Sequence, residues 1–313
     1  MPELPEVETI KRGLVPCIEG RRIRELIVLT EKSCQGNPGV AKDAMVKGLR
    51  RRGKALLIDL DNGWTLMVHL RMTGQLIWRP DDGETFAGGH PSNNFIADLP
   101  NGQTRVIFVF DEGKLFFNDQ RKFGFVKILR TEAVEEDSFI AALAPEPWEM
   151  DAHELYEKCQ RHAKAPIKAV LLDQKIIAGL GNIYADESLF YAGVHPAEKA
   201  GNLSEKQVSR LLLGARETME RSIDSGGSTM ATYIKPDGTT GNYLENFAEV
   251  FRREGKACNR CGETILKTRV TGRGTHYCPK CQPAPEDWEE TSSTSSRRAQ
   301  VGYAEKLMPE VCE

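Results

Sequence analysis

No apolar stretch in these 313 residues approaches the roughly 18 that a membrane-crossing helix requires, so a membrane-spanning protein is not expected. No basic, apolar leader opens the chain, whose start is acidic, and a cytoplasmic protein is the expectation. There is no internal repeat. Nor is there an excess of positive charge: the formal net charge is -3, an unpromising total for a nucleic-acid binder. That total conceals its distribution. Residues 282–313 carry -4, leaving +1 on residues 1–281. Lys47, Arg50, Arg51, Arg52 and Lys54 crowd eight positions, and residues 251–281 hold eight bases against Glu254 and Glu263. Such clusters are commonly solvated faces, but two of them, one beside a metal-type motif, favour a phosphate-facing surface.

The length suits two domains with accessories. After a short N-terminal helix, the apolar or alternating runs 23–29, 55–60, 65–70, 106–110, 114–117 and 125–129 read as strands. Asp61-Asn62-Gly63 and Asp111-Glu112-Gly113 punctuate them as hairpin turns, and a β-sandwich is expected over 2–130. Residues 80–102, rich in Gly, Pro, Asn and Asp, read as a mobile loop. From about Asp151 the period becomes helical, with helices over 167–172 and 183–192, the latter ended by Gly193. Ser204 with Gln207 makes a capping-box start, followed by the stripe Val208, Leu211, Leu212, Ala215 and Met219. The domains expected are thus 2–130, 151–245 and 248–282, with 283–313 a disordered acidic tail.

Eight cysteines divide into two groups. Cys17, Cys34, Cys159 and Cys312 are scattered and read as reduced thiols. Cys258-x-x-Cys261 and Cys278-x-x-Cys281 form two knuckles whose spacing can close a tetrahedral thiolate shell around one Zn²⁺. Four protein ligands leave no open position, so the metal is structural; two disulfides or a redox pair are the alternative. Between the knuckles, two short strands with Gly272-Arg273-Gly274 at their turn would offer Arg273 at a hairpin tip.

Pro2 is small enough for Met1 to be clipped, which would expose a secondary amine. A free α-amino group titrates near ~8 against ~10.4 for a lysine, so more of it is unprotonated at neutral pH. Its attack on an aldehyde-like carbon gives an iminium directly, an electron sink held on the enzyme. Glu3 would lie beside it to move protons, with Glu6 one helical turn on and Pro5 suited to a first helical turn. An exposed Pro/Glu-rich leader is the bland alternative. Lys54 starts a strand, where it could face phosphate or a reaction centre. Met72 lies on a polar loop, as do Arg121 and Phe123, and they are candidates for wedging between bases rather than for the core. Gly179, Gly181 and Asn182 stand between two helices, where glycines admit phosphate or simply allow close packing.

These motifs occur together, in order, in one family. The chain resembles bacterial formamidopyrimidine-DNA glycosylases, the 8-oxoguanine DNA glycosylase/AP lyases, from Met1 to about Gln282. The likeness rests on Pro2-Glu3-Leu4-Pro5-Glu6, Arg51 to Lys54, His69 to Gly74, Gln120 to Gly124, Gly181-Asn182-Ile183-Tyr184 and the four-cysteine finger. It implies an α+β protein: an N-terminal β-sandwich with a helix, a helix-two-turn-helix domain and a zinc-finger β-hairpin. It implies a monomer acting on double-stranded DNA that contains oxidised purines or abasic sites, in the bacterial cytoplasm at the nucleoid. By the same likeness Pro2 is the Schiff-base nucleophile, Glu3 the general acid/base and Glu6 a structural acid. Lys54 resembles the proton donor in β-elimination and Arg273 the one in δ-elimination. Met72, Arg121 and Phe123 fill the void, Lys164 and Asn182 contact phosphate, and Thr232 and Tyr233 close over the flipped base.

Some positions depart from the family pattern. Gly102-Gln103 replaces a usual Lys-His pair, so a DNA contact expected of His falls to Gln103 or is lost. Phe251-Arg252 stands where Tyr-Gly is common, and Ala231 where Arg is. Two other readings compete: an endonuclease VIII-like enzyme for oxidised pyrimidines, and a non-catalytic zinc-finger DNA-binding protein. Leu4, Met72 and Arg121-Lys122-Phe123 argue against the first, Pro2 with Glu3 against the second.

Overall fold

The computed structural model describes residues 1–90, 98–227, 246–286 and 288. A helix, α1 (Leu4–Ile18), precedes ten strands in two five-stranded sheets. The first sheet has the order β1 (Ile23–Val28), β8 (Thr104–Phe110), β9 (Gly113–Asp119), β6 (Gly74–Pro80) and β7 (Phe86–Gly89). The second has β2 (Cys34–Gln35), β10 (Phe125–Arg130), β5 (Trp64–His69), β4 (Ala55–Leu60) and β3 (Val46–Arg52). The pairs are antiparallel except β10 with β2. Alternation along the strands sends one set of side chains, such as Leu66, Val68, Phe108 and Phe117, into the shared core.

Val7, Ile10, Leu14 and Ile18 of α1 recur at helical spacing and enter that same core. Leu4 does not: it belongs to a second core built, after the short helix α2 (Ser138–Ala141), from α3 (Ala152–Arg161), α4 (Ile167–Leu172), α5 (Asn182–Ala192) and α6 (Glu205–Asp224). α6 opens on the expected box, with Gln207 N donating to Ser204 Oγ at 3.4 Å and Ser204 N to Gln207 Oε1 at 2.9 Å. α5 ends at Gly193, whose left-handed φ of 71° an L side chain disfavours. The third unit is the hairpin β11 (Leu266–Val270) and β12 (Arg273–Tyr277).

Three expectations need correction. The reading of 80–102 as one loop misses β7, which pairs with β6 and buries Phe86 against α1 near Gly13. Arg273 is not the tip of its hairpin but the first residue of β12, opposite Val270; Thr271 and Gly272 make the turn, both at positive φ. The 47–54 cluster is not a free phosphate-facing surface either. Arg50 pairs with Asp59 and Glu135, Arg51 with Glu8 and Glu146, and Arg52 with Glu149. Strand pairing turned these guanidinium groups towards carboxylates distant in sequence. No described helix is long and apolar enough to cross a membrane. Of the tail, residues 283–286 and Trp288 are described, and Trp288 packs against His195 at 4.5 Å between ring centroids.

Candidate active site

The N-terminal segment is buried from Pro2 to Ile10, with Met1 outside it, half exposed at 49 %. A Pro/Glu-rich leader in solvent is thereby ruled out. Glu3 is the N-cap of α1, and its carboxylate is gripped by the start of α5. Gly181 N donates to Glu3 Oε2 at 2.7 Å and Ile183 N to Oε1 at 3.0 Å. A helix N-terminus offers unpaired amides and partial positive charge, so it suits a carboxylate. A side chain at position 181 would not fit, because its Cβ would stand 2.3 Å from Glu3 Cδ. Gly179, at φ +94°, lets the chain pass Leu4, to which a Cβ would come within 2.4 Å. The glycines therefore serve close packing around the acid rather than an open cradle. Glu6 supports the arrangement: it accepts from Glu3 N at 2.7 Å and from the Tyr184 hydroxyl at 2.6 Å.

Lys54 approaches from the sandwich. Gly53 (φ 55°) and Lys54 form the two-residue turn between β3 and β4. Glu146, in the link to the helical domain, fixes this turn: it accepts from Gly53 N at 2.7 Å and grips Arg51 through two bonds of 2.7 and 2.9 Å. The buried Lys54 ammonium then donates to the Leu180 carbonyl at 2.6 Å, one residue from the glycine that holds Glu3.

The electrostatics follow from burial. Burial pushes the Glu3 carboxyl up to about 7, opposed by Lys54 and the Ile183 amide. Burial pulls Lys54 down to about 8, with Glu3 and Glu6 opposing and Arg273 assisting. The Met1 amine, which occupies this place before any clipping, is likewise lowered, first by burial. An acid and an ammonium are thus poised to exchange protons near neutrality.

Met72, Arg121 and Phe123 come together from two loops. Arg121 Nη1 contacts Met72 Sδ at 2.9 Å, and its guanidinium lies 5.0 Å from the Phe123 ring centroid. Met72 is 41 % and Phe123 58 % exposed, so neither belongs to the core. Asp119 braces both loops: it accepts from Thr73, Arg121 N at 3.2 Å and Gly124 N at 2.7 Å.

The four finger cysteines place their Sγ atoms within 4.8 Å of one another. A tetrahedral zinc with Zn–S bonds of about 2.3 Å needs sulfurs about 3.8 Å apart. Separations of 3.4 Å (Cys261–Cys278) and 4.0 Å (Cys258–Cys281) fit that shell and are too long for disulfides. Arg273 is exposed, on the strand leading to Cys278. Asn182 Nδ2 donates to the Gly274 carbonyl at 2.9 Å, so in this state it braces the hairpin. Lys164 is exposed just before α4, and Gln103, partly buried, accepts Asp119 N at 2.8 Å through its carbonyl. Thr232, Tyr233 and Ala231 lie outside the described residues. Nothing in the local sequence marks Glu146, which acts through the fold; Leu180 lies inside the Gly179–Gly181 motif but contributes only its carbonyl.

Comparisons with known proteins agree with this geometry. Residues 1–126 match the formamidopyrimidine-DNA glycosylase N-terminal domain, 143–234 its H2TH domain and 255–284 a zinc finger found in FPG and IleRS. The chain is 40% identical over 290 residues to the formamidopyrimidine-DNA glycosylase of Pelotomaculum thermopropionicum, covering 90% of this chain and 99% of that one. Against the enzyme of Ruegeria pomeroyi it is 38% identical over 292 residues, covering 90% and 100%. A Lactococcus lactis FPG variant in complex with Fapy-dG containing DNA superposes with a TM-score of 0.79 at 32% identity, over 90% of this chain and 100% of that chain. The Lactococcus lactis Fpg complex with abasic-site DNA gives 0.79 at 31%, with the same coverage. With its β-sandwich, H2TH and four-cysteine zinc units in this order, the chain belongs to the formamidopyrimidine-DNA glycosylase family of DNA repair enzymes.

Proposed function

We propose that this protein excises oxidised purines, 8-oxoguanine and formamidopyrimidines, from double-stranded DNA and then cleaves the strand at the abasic site by β,δ-elimination. The observation that carries this reading is the carboxylate of Glu3, clamped by the amides of Gly181 and Ile183 beside the chain terminus and the Lys54–Leu180 contact. Removal of Met1 would leave Pro2 N as the secondary amine beside Glu3.

A glycosidic bond inside a duplex is out of reach, so the damaged nucleotide must leave the stack at a cost of a few kcal/mol. Met72, Arg121 and Phe123 fill the vacated space and offset that cost. Pro2 N attacks C1′ as the base departs, and the C1′–O4′ bond then opens, Glu3 passing the amine's proton to O4′, to leave an iminium. The resulting iminium acidifies the C2′ proton; its loss breaks the C3′–O bond, and Lys54 serves as acid. Arg273 and Lys164 neutralise phosphate charge on the strand, and Asn182 contacts phosphate as an uncharged donor. Gln103 takes the place of a family histidine, and Thr232 and Tyr233 close over the base. The working units are 2–130, 151–245 and 248–282, in a monomer of the bacterial cytoplasm.

One neighbour favours a second reading of substrate: a Lactococcus lactis Fpg structure holds an oxidised pyrimidine containing DNA, at a TM-score of 0.79 and 32% identity. Excision from 8-oxoguanine:cytosine and thymine-glycol duplexes separates the two, and a clear pyrimidine preference would overturn the purine assignment. Borohydride trapping on abasic DNA, followed by peptide mapping, tests the chemistry. The expected adduct is on Pro2; an adduct on any other residue, or none, removes the proposal.

A further inference from the structure

Lys168 is an ammonium with no exposure at all, on the short helix α4 that carries no expected DNA contact. Burying a charge so completely demands partners. One is Asp186, also fully buried, whose Oδ1 lies 2.6 Å away, an ion pair rather than an aligned hydrogen bond. The other two belong to the zinc-finger hairpin. Lys168 Nζ donates to the Gly274 carbonyl at 3.1 Å and to Thr275 Oγ1 at 2.8 Å. The Thr275 hydroxyl in turn donates to the carbonyl of Arg273 at 2.9 Å. Asp186 accepts the His276 amide at 3.0 Å, and Asn182 shares the Gly274 carbonyl. The hairpin is therefore tied to α4 and α5 at the Gly274 carbonyl, the Thr275 hydroxyl and the His276 amide, and the Arg273 carbonyl is held through Thr275.

We infer that Lys168 is a positioning residue for Arg273: with Asp186 it fixes the base of that side chain against the helical domain, and so sets the second elimination. The inference rests on the proposed lyase chemistry. After β-elimination the sugar remnant is a conjugated iminium, N⁺=C1′–C2′=C3′. Loss of the C4′ proton sends its electron pair into the chain. The C5′–O bond then breaks, and the 5′ phosphate departs with that bond's electrons. Arg273 stabilises the leaving phosphate only if its guanidinium stands where the charge appears. A misplacement of about 1 Å can cost on the order of 100-fold. The first elimination needs Pro2, Glu3 and Lys54, none of which is hydrogen-bonded to Lys168, and Glu3 reaches it only through the longer-range attraction of its charge.

The test is Lys168→Met in the full-length, zinc-loaded protein, under single turnover on abasic DNA. The readouts are borohydride trapping rate, the β product (a 3′ unsaturated aldehyde) and the δ product (a 3′ phosphate). Conversion of β to δ product should slow about tenfold or more, as for Arg273→Ala, while trapping stays within about twofold. An unchanged product ratio overturns the inference. Thr275→Val, which removes the hydroxyl relay and keeps the shape, serves should Lys168→Met lose its zinc. It should shift the ratio the same way, and an unaltered ratio there is equally fatal. If the unmodified protein fails to trap at all, the lyase reading has failed, which is a separate result.

Discussion

Glu3 is a carboxylate that receives amide hydrogen bonds and yet is held at about 7, because its burial outweighs them. Lys54 sits on the other side of neutrality at about 8, for the same reason with the opposite sign. Cleavage of abasic DNA should therefore rise through about 7 as Glu3 ionises and fall above about 8 as Lys54 loses its proton. In Lys54→Met the residual activity should lack the alkaline limb; a limb that survives means another group is the acid. Phe123 tests extrusion apart from chemistry. Phe123→Ala should slow excision from an 8-oxoguanine duplex by about 10- to 100-fold, the equivalent of 1.4 to 2.8 kcal/mol. Cleavage at a preformed abasic site should scarcely change, and an equal loss on both substrates would sink the wedge role. The burial of Glu3 beside Lys54 and the exposed grouping of Met72, Arg121 and Phe123 concern residues that the sequence offers as candidates, because each sits in a short motif with a local chemical reason. Lys168 and Glu146 were not legible there, since a lone Lys or Glu reveals its partner only after folding.

Among elements, α5 decides most, because its first turn presents the amides that hold Glu3. Gly181→Ala should abolish most of the cleavage, by about 100-fold or more, since a methyl cannot share the carboxylate's space. Gly48→Ala in β3 is the control: a Cβ there meets nothing within 4 Å, and activity should persist. Normal rates in Gly181→Ala would mean that the clamp is dispensable. The sequence showed α5 and its end at Gly193, the capping box of α6, six of the ten sandwich strands and the two of the finger. It hid β7, whose two glycines look like loop but allow close approach to Ile10 and to the Gly74 carbonyl. It hid β3 as well, because a row of arginines reads as surface until its carboxylate partners are placed. The hairpin turn was misjudged by one residue, since Thr271 takes a left-handed conformation that a sequence would assign to glycine.

The whole molecule joins three units whose contributions can be removed separately. Chelation of zinc, or Cys278→Ser, should unfold the finger and release the hairpin from α4 and α5, because metal binding and folding are coupled in such modules. DNA affinity should fall at least about tenfold, while the sandwich and the helical core keep their circular dichroism. Undiminished affinity without metal would contradict a structural ion. Net charge of -3 gave no hint of a DNA ligand, and the basic cluster that did hint at one proved largely spent on internal carboxylates. The order of the three units, by contrast, was readable from periodicity and the cysteine spacing. One consequence of α1 extends to motion. Leu4 is anchored in one core and Val7 to Ile18 in the other, so a rocking of the sandwich against the helices would load this rivet first where the chain begins. The chain end proposed to react therefore stays registered on its acid when the sandwich shifts against the helices.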